Sequence, residues 1–303
     1  MPLPDHPLLT GPRRRRTLFA VTSVLALSAL LVTLVPVLKA RGTAPSRTAD
    51  GLLTVATWNM CGVRRWNCAE TGGAAAKRRA VRRLADDGAD VVLLQEACAA
   101  DAESVRDALG GTWRLAFRPY TSREASGRAR AVECDGRGRG AAGLALLSAH
   151  PLSAVRSVPS RQPVTGLGRG ILCATVGVVD VRVCNAHLSL PGSDLAHPGW
   201  EYRDDQLRAL DGTVRGRRTV FGGDFNLRPP GARNASGWVW PDSAYRVFRE
   251  CDQDSAADRS GRPTHESGHK LDYLFTGLPR KGCAVRDTGV SDHRALLLRV
   301  ATG

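Results

Sequence analysis

The stretch TVFGGDFNLRPP, residues 219–230, places every other motif in the chain. Its first three residues are β-branched or aromatic, which predicts a short buried strand. Two glycines follow, and Asp224 and Asn226 come at the carboxyl end of the predicted strand. Glycines allow a backbone to approach a ligand closely, and a carboxylate with a carboxamide two residues later can reach one phosphate-sized group together. The alternative interpretation is an Asx-type turn, closed by the two prolines that follow.

Five shorter motifs accompany this stretch in sequence order. They are TWN at residues 57–59, LLQE at 93–96, NAHL at 185–188, KLDYLF at 270–275 and SDH at 291–293. Together with residues 219–230, this ordered set resembles the endonuclease/exonuclease/phosphatase superfamily, the DNase I-like metal-dependent phosphodiesterases. The resemblance extends from about residue 52 to about residue 300, nearly the whole chain after its amino terminus.

The resemblance implies an α/β fold, a four-layered α/β sandwich in which two packed mixed β-sheets are flanked by helices. The residues themselves repeat one pattern, in which a predicted strand is followed by a polar residue at or just beyond its end. Such strand ends gather at one edge of a sheet, where ligands bind in α/β architectures. The whole chain has 43% hydrophobic residues and can bury a sizeable core, and residues 51–303 are expected to form one domain of this kind.

Hydrophobic patterning and helix-ending residues predict the individual elements. The predicted strands cover residues 52–58, 90–95, 113–117, 143–148, 171–177, 180–188, 271–275 and 294–300, besides the strand at 219–221. The predicted helices cover residues 74–87, 102–109 and 201–214. Residues 122–140, rich in arginine and glycine, are expected to form a mobile loop, and residues 231–241 a loop or insertion.

Glu96 and Asn59 are the candidate metal ligands. Their oxygen atoms are hard ligands, which suit Mg²⁺ or Mn²⁺ rather than zinc, with Ca²⁺ as a further alternative. The resemblance implies that Glu96 is the main ligand, that Asn59 supports it and that Asp292 helps to bind the metal. Without the other motifs, Glu96 would be interpreted as a solvent-facing carboxylate and Asn59 as a turn residue.

The candidate catalytic residues are two histidines and their carboxylate and carboxamide neighbours. A histidine held by a carboxylate has a fixed tautomer and a raised basicity, as a general base requires, and the resemblance assigns this pair to Asp272 and His293. It also makes His187 a donor to a phosphate oxygen or to the leaving group. Asp224 and Asn226 would orient the attacking water and hold the phosphoryl oxygens. Whether Asp224 or His293 is the base is left open.

Five further residues are weaker candidates for substrate contacts. The family has an aromatic or arginine phosphate contact near the middle of the chain, and this sequence has no clear match to it. Tyr120 and Arg123 are the candidates for that role. Thr264, His265 and Lys270 precede the KLDYLF aspartate and are expected to line the same cleft.

The charge of the chain favours a polyanionic partner. The chain carries 43 basic and 29 acidic residues, a formal net charge of +14. Of these, 36 basic and 27 acidic residues lie in residues 51–303, so the expected domain is basic by itself. A solvated basic surface without a ligand is the alternative. A monomer is expected.

Three functions are compatible with these features. The first is an extracytoplasmic divalent-metal-dependent phosphodiester hydrolase, a nuclease acting on DNA or RNA, because basic charge attracts the nucleic-acid backbone regardless of base sequence. The second is a phospholipid or sugar-phosphate phosphodiesterase or phosphatase that uses the same site and is brought to lipid by a membrane anchor. The third is a non-catalytic nucleic-acid-binding surface protein, which the intact set of candidate catalytic residues argues against.

The eight cysteines predict disulfides. An even number outside the cytosol favours bridges, although eight cysteines allow 105 pairings. Cys173 and Cys184 flank a reversal between two apolar runs, which favours a cross-strand bridge, and Cys61 with Cys68 would close a short loop after the TWN motif. If the pairing is sequential throughout, the remaining pairs are Cys98–Cys134 and Cys251–Cys283. No CxxC spacing supports a zinc site.

The first 50 residues predict an export or anchoring segment. Residues 1–16 form a basic cytoplasmic region, residues 17–38 are uncharged, and residues 39–50 form a polar linker. The uncharged segment is long enough to cross a bilayer, which takes about 20 residues, and a preceding basic block directs the following chain outward. The segment is either a retained transmembrane anchor or a cleaved signal, and in both cases the domain faces outside.

Overall fold

The computed structural model describes residues 51–192, 201–231 and 234–303. The predicted basic region at 1–16, the uncharged segment at 17–38 and the linker at 39–50 lie outside the described residues. Within the described ranges, no helix combines the length and the apolar character that spanning a bilayer requires. The anchor or signal therefore stays a prediction.

The described residues form fifteen strands and four helices. The strands are β1 (Leu52–Asn59), β2 (Val91–Cys98), β3 (Arg114–Pro119), β4 (Thr121–Arg123), β5 (Ala129–Ala131), β6 (Ala142–Ser148), β7 (Leu152–Val158), β8 (Gly166–Gly168), β9 (Gly170–Val176), β10 (Val181–His187), β11 (Thr219–Asp224), β12 (Arg249–Glu250), β13 (Asp272–Thr276), β14 (Arg280–Arg286) and β15 (Ala295–Ala301). The helices are α1 (Ala74–Asp86), α2 (Ala99–Leu109), α3 (Tyr202–Thr213) and α4 (Ser243–Val247).

Two six-stranded sheets carry the fold. The first has the strand order β14-β15-β1-β2-β6-β3, and the second has the order β12-β13-β11-β10-β9-β7. Each sheet is antiparallel except for one central parallel pair, which is β1 with β2 in the first and β10 with β11 in the second. Both sheets are therefore mixed. A small third sheet joins β5, β4 and β8.

Three apolar clusters fill the spaces between the layers. Inward residues of both sheets, such as Val55 and Val183, pack into one core between the sheets. On the outer face of the first sheet, Trp58 belongs to a cluster shared with α1 and α2. On the outer face of the second sheet, Phe221 belongs to a cluster shared with α3 and α4. The order of layers is helix, sheet, sheet, helix, which confirms the predicted four-layered α/β sandwich.

The structure differs from the predicted elements mainly at the edges of the sheets. Strands β7 and β14 were not predicted, because both are edge strands that have almost no buried residues and show no apolar alternation. The predicted loop at 122–140 contains part of β4 and all of β5, which pair with each other in the small sheet. Within the predicted loop at 231–241, Gly237–Val239 forms a single 3₁₀ turn.

All eight cysteines are in disulfides, and they are paired sequentially, which is one of the pairings that the sequence left open. Cys173 and Cys184 stand opposite each other on β9 and β10, which confirms the cross-strand bridge. Cys251 follows β12 at the edge of the second sheet and pairs with Cys283 in β14 at the edge of the first. This last bridge ties the two sheets together at one side.

The two glycines of β11 have a different role from the predicted one. A Cβ atom on Gly222 would lie 1.8 Å from the carbonyl oxygen of Tyr273, and one on Gly223 would lie 1.9 Å from that of Ala186. Gly223 also has φ +131°, in the region that L-residues rarely adopt. The glycines therefore permit close approach of the neighbouring strands β13 and β10, rather than of a ligand.

This packing predicts the effect of adding one methyl group. We expect Gly223→Ala to lower the free energy of unfolding by about 2 kcal/mol or more, because backbone atoms must move and φ is unfavourable. The matched control is Gly212→Ala in α3, where no atom lies within 4 Å of the added Cβ. That change should be neutral or should stabilise the protein by up to about 1 kcal/mol. Equal unfolding midpoints in denaturant for both variants would contradict the explanation.

Candidate active site

Four strand ends deliver polar side chains into the space between the sheets. In the second sheet, His187 pairs with Asp224 and Asp224 pairs with Asp272, so three neighbouring strands place these residues side by side. In the first sheet, Asn59 ends β1. Alternate residues of all four strands face the central core, and by the same alternation their polar end residues face inward too.

Glu96 reaches this space through a β-bulge. Alternation along β2 turns Leu93 inward and Leu94 outward, which would turn Glu96 outward as well. The pairing of β2 with β6 shifts by one residue between Leu94 and Ala97, and Glu96 has φ +51°. A bulge of this kind redirects a side chain and is common beside active sites. Glu96 is therefore aimed at the same end of the central space as Asn59.

The polar residues open into a cleft of about 480 Å³. The sequence-predicted residues that line it are Asn59, Glu96, His187, Asp224, Asn226, Asp292 and His293. Asp272 is fully buried behind His293. The fold thus brings these side chains together, as the sequence predicts. They are far apart in the sequence and come from both sheets.

The carboxylate of Asp224 accepts hydrogen bonds from both sheets. Its Oδ2 atom accepts from Asn59 Nδ2 at 3.0 Å and from His187 Nε2 at 3.3 Å, and its Oδ1 atom accepts from the Asn226 backbone N–H at 2.8 Å. Burial acts to raise the pKa of this carboxyl. The neighbouring His293 and His187 outweigh burial and hold the pKa well below its usual range. Asp224 is therefore ionised at neutral pH.

His187 is held in one tautomer by Tyr120. The Tyr120 hydroxyl accepts the Glu96 backbone N–H at 3.1 Å, so its own proton is available for His187 Nδ1, 2.7 Å away. The proton of the neutral imidazole therefore lies on Nε2, which donates to Asp224. Burial and the nearby Arg169 lower the pKa of His187 to about 4. His187 is a neutral donor at the floor of the cleft.

His293, unlike the neutral His187, is positively charged. Its Nδ1 atom lies 2.8 Å from Asp272 Oδ2, and its Nε2 atom lies 3.8 Å from Asp224 Oδ2. Burial lowers the pKa of His293, but the Asp272 and Asp224 carboxylates outweigh it and raise the pKa to about 10. His293 is therefore an imidazolium at neutral pH, with Nδ1 bonded to Asp272 and Nε2–H facing the cleft.

The carboxylate of Glu96 lacks a balancing donor. Its Oε1 atom accepts from Asn59 Nδ2 at 3.3 Å, whereas the atom beside Oε2 is the Cys68 sulfur at 3.8 Å. That sulfur is in a disulfide and carries no proton, so Oε2 has no donor among the residues that the structure describes. Burial accordingly raises the pKa of Glu96 to about 7.

Glu96 and Asp292 are the candidate ligands for a hard divalent cation in this cleft. A buried carboxylate oxygen without a partner is a favourable ligand for such an ion. Asp292 lines the same cleft, and Ser291 Oγ donates to its Oδ1 at 3.2 Å. Asn59 directs its amide N–H₂ at Glu96 and Asp224, since its carbonyl oxygen accepts the Cys61 N–H at 2.9 Å. Asn59 thus positions both carboxylates.

Arg169 is a cleft residue that the sequence analysis missed. Its side chain is 7% exposed and lines the cleft, yet its Nε atom has no hydrogen-bond partner. Arg169 precedes β9, whose first residue, Gly170, pairs with His187. Two glycines flank Arg169, and a Cβ at either would lie under 3.0 Å from a neighbouring atom. This Gly-Arg-Gly at a strand start is the signal that could have found it.

The weaker sequence candidates lie mostly outside the cleft. Tyr120 is fully buried beneath it and supports His187, so it makes no direct contact with the cleft. Arg123 is exposed on β4, donates to the Gly127 carbonyl and does not line the cleft. Among the described residues, the missing arginine contact is better matched by Arg169.

The three candidate substrate-contact residues that precede β13 in the chain lie in three different environments, and only one of them lines the cleft. Thr264 Oγ1 accepts the backbone N–H of Asp272 at 2.9 Å and is fully buried, so it holds the start of the strand. Lys270 is buried away from the cleft, with Nζ 3.2 Å from Glu250 Oε1. His265 does line the cleft, where its Nε2 atom lies 3.6 Å from Asp292 Oδ2.

The arrangement of these residues agrees with a known family. The sequence profile of the Endonuclease/Exonuclease/phosphatase family matches residues 56–293, which is most of the chain. This chain belongs to the endonuclease/exonuclease/phosphatase family. The prediction of this family, and with it that of a phosphoric ester hydrolase, is confirmed. Enzymes of the family are generally dependent on a divalent metal.

Solved structures of low sequence identity share the fold. Humanized D. rerio TDP2 with 14 mutations is 17% identical, and the match covers 82% of this chain and 98% of that one, with a TM-score of 0.56. The human Nocturnin catalytic domain with bound sulfate is 15% identical over 82% and 94% of the two chains, with a TM-score of 0.57. An AP endonuclease from Archaeoglobus fulgidus is 15% identical over 81% and 98%, with a TM-score of 0.52. Among curated proteins, none matches the chain.

The buried hydroxyl of Tyr120 provides a test of the hydrogen-bond chain beneath the cleft. We expect Tyr120→Phe to lower the free energy of unfolding by about 2 kcal/mol or more, because it leaves the Glu96 N–H and His187 Nδ1 without partners. The matched control is Tyr245→Phe, since the Tyr245 hydroxyl is buried without a hydrogen-bond partner. Removing that hydroxyl should leave stability unchanged or raise it. Thermal unfolding of both variants, with equal changes in midpoint, would refute the assigned bonds.

Proposed function

We propose that this chain is an extracytoplasmic, divalent-metal-dependent phosphodiesterase that cleaves DNA or RNA. The observation that carries the proposal is that one cleft holds a carboxylate and a guanidinium that each have an atom without a hydrogen-bond partner. The Glu96 carboxylate has an oxygen without a donor, and the Arg169 guanidinium has a buried nitrogen without an acceptor. A cation together with a phosphate group satisfies both, which neither ligand does alone.

Arg169, His187 and Asn226 surround the space available to the phosphoryl group. The Arg169 guanidinium is almost fully buried, so its attraction for a phosphate oxygen is weakly screened by water. The Asn226 amide donates to the Leu188 carbonyl at 3.0 Å, which fixes its orientation at the cleft wall. Fixed donors of this kind stabilise charge that develops in a transition state without reorganising.

The charge states separate the roles of Asp224 and His293. The raised pKa of His293 favours a role as proton donor over a role as acceptor of a proton from water. Asp224 is ionised and lines the cleft, so it is the acceptor that would orient the attacking water. His293 Nε2–H can donate to a phosphoryl oxygen or to the leaving oxygen. Of the two alternatives for the base, these charge states favour Asp224.

A bound cation at Glu96 and Asp292 would neutralise phosphoryl oxygens and lower the pKa of an attached water. The oxygen ligands favour Mg²⁺ or Mn²⁺, with Ca²⁺ as the alternative. Asn59 bridges the two carboxylates Glu96 and Asp224 by donating to both from its amide nitrogen. Its role is to position them.

The substrate class and the location rest on charge and on the disulfides. Residues 51–303 carry an excess of basic residues, which attracts the phosphate backbone of nucleic acid. Four disulfides are typical of an oxidising compartment outside the cytosol. The uncharged segment at 17–38 agrees with export, whether it is cleaved or retained as an anchor.

Removal of the metal with EDTA and substitution of Glu96 test whether activity depends on a divalent cation. With Mg²⁺ present, the full chain should degrade DNA or RNA, and addition of EDTA should stop the reaction. Glu96→Gln keeps the size of the side chain and removes its charge, so we expect the Mg²⁺ concentration for half-maximal rate to rise at least about tenfold. Cleavage that persists in EDTA would contradict the proposal. Cleavage of phosphocholine lipids, with none of DNA or RNA, would favour the alternative lipid substrate.

Phosphate binding by Arg169 is tested by removing the guanidinium. We expect Arg169→Met to lower kcat/KM on nucleic acid by about 100-fold or more. Stability should not fall, because the lost group has an unpaired buried nitrogen. The matched control, Arg123→Met, alters an exposed arginine outside the cleft and should change kcat/KM by less than about threefold. Equal losses in the two variants would show that net charge, and not position, matters.

A further inference from the structure

A short disulfide-closed loop forms one wall of the cleft and has no part in the proposed chemistry. The bridge between Cys61 and Cys68 closes residues 61–68 directly after β1. Arg65, Trp66 and Asn67 of this loop all line the cleft. The Trp66 ring is partly buried, with its centroid 6.1 Å from that of Tyr120, and its remaining surface borders the cleft.

Both ends of the loop contact residues of the proposed active site. The Cys61 backbone N–H donates to Asn59 Oδ1 at 2.9 Å, and the Cys68 sulfur lies 3.8 Å from Glu96 Oε2. The ring of Trp66 rests against Tyr120, which bonds His187. The indole therefore lines the same cleft as the residues proposed to bind the metal and the phosphate.

Several contacts hold the loop in this one position. Arg65 forms an ion pair with Asp135 and donates from Nη2 to the Glu133 carbonyl at 2.8 Å. Arg139 Nη1 donates to the Gly62 carbonyl at 3.0 Å. Asp135 and Glu133 flank Cys134, which is itself bridged to β2. A side chain that is already fixed loses little entropy when a ligand binds, so the wall is preorganised.

The charges around the indole restrict what can bind on it. The Arg65 guanidinium carbon lies 5.9 Å from the centre of the Trp66 ring, and Arg169 lines the same cleft. These cations oppose a quaternary ammonium such as the choline headgroup, which otherwise binds well on aromatic rings. They favour a planar, uncharged ring joined to a phosphate. A nucleobase attached through its sugar to the scissile phosphate has this chemistry.

We propose that Trp66 is a stacking platform for the nucleobase next to the scissile phosphate, and that the loop at 61–68 thereby selects nucleotides over other phosphodiesters. The inference rests on the proposed nuclease function and specifies its substrate class. Stacking of a base on an aromatic side chain contributes substantially to single-strand binding and tolerates any base. The loop therefore gives preference for a base without preference for a base sequence.

The test compares two single-stranded oligonucleotides that differ at one nucleotide. One is fully base-bearing, and the other has a tetrahydrofuran abasic residue next to a single cleavable phosphodiester, with the other linkages protected as phosphorothioates. We expect the wild-type full chain to cleave the base-bearing substrate with a kcat/KM roughly 5- to 150-fold higher, mainly through KM. Trp66→Ala should reduce this ratio to about 1, and Trp66→Phe should retain most of it.

Trp238 supplies the matched control for the variant. It is a tryptophan with 53% exposure on the 3₁₀ turn and does not line the cleft. Trp238→Ala should leave the ratio of kcat/KM values unchanged. If Trp66→Ala fails to fold, the wild-type comparison and the Trp66→Phe variant still decide the question.

The possible outcomes distinguish a failure of the stacking role of Trp66 from a failure of the proposed nuclease function. Equal cleavage of both oligonucleotides by the wild type overturns the stacking role and leaves the nuclease function intact. A ratio that Trp66→Ala leaves unchanged also overturns the stacking role. If the wild type cleaves neither oligonucleotide and cleaves phosphocholine vesicles instead, the proposed function fails and the stacking role fails with it.

Discussion

The position of one carboxylate links the two halves of the sandwich. Asp224 stands in the second sheet and accepts the Asn59 amide of the first, as well as the His187 imidazole beside it. Neither sheet can shift along the other without breaking these bonds inside a buried site, where an unpaired polar group is costly. The glycines before Asp224 bring β10, β11 and β13 close enough to align His187, Asp224 and Asp272. The packing of backbones and the chemistry of the cleft therefore depend on the same three strands.

The sequence was sufficient for the parts of the structure that alternation and motif order control. A strand with apolar residues at every second position also determines which way its last polar residue faces. Asn59, His187 and Asp224 could be expected to lie close together because each ends or follows a predicted strand. Asp272 could be expected there because the resemblance assigns it to the same site. The four-layered sandwich followed from the resemblance, and the core between the sheets supports it. The prediction that the cysteines form disulfides is confirmed as well, whereas their full pairing was left open by the sequence.

Other features depend on contacts that one segment of sequence does not contain. The bulge that redirects Glu96 is a property of its pairing with β6, and the sequence of β2 alone continues the alternation through it. Arg169 has only its two flanking glycines as a local signal, and its neighbours come from segments around residues 118 and 187, which are distant in the sequence. Tyr120 was expected at the phosphate, but the fold places its ring beneath the cleft, where its hydroxyl sets a histidine tautomer. Charge states also required coordinates, because they depend on which carboxylate faces which imidazole.

The consecutive order of the four bridges affects how the chain can mature. Each cysteine has the adjacent cysteine along the chain as its partner, so the bridges span separate segments and none encloses another. A polypeptide appears from its amino end, and closing a short loop costs less entropy than closing a long one. Oxidation in the order of emergence therefore produces the native set directly. Such a chain can acquire its cross-links without an isomerase to rearrange mispaired thiols.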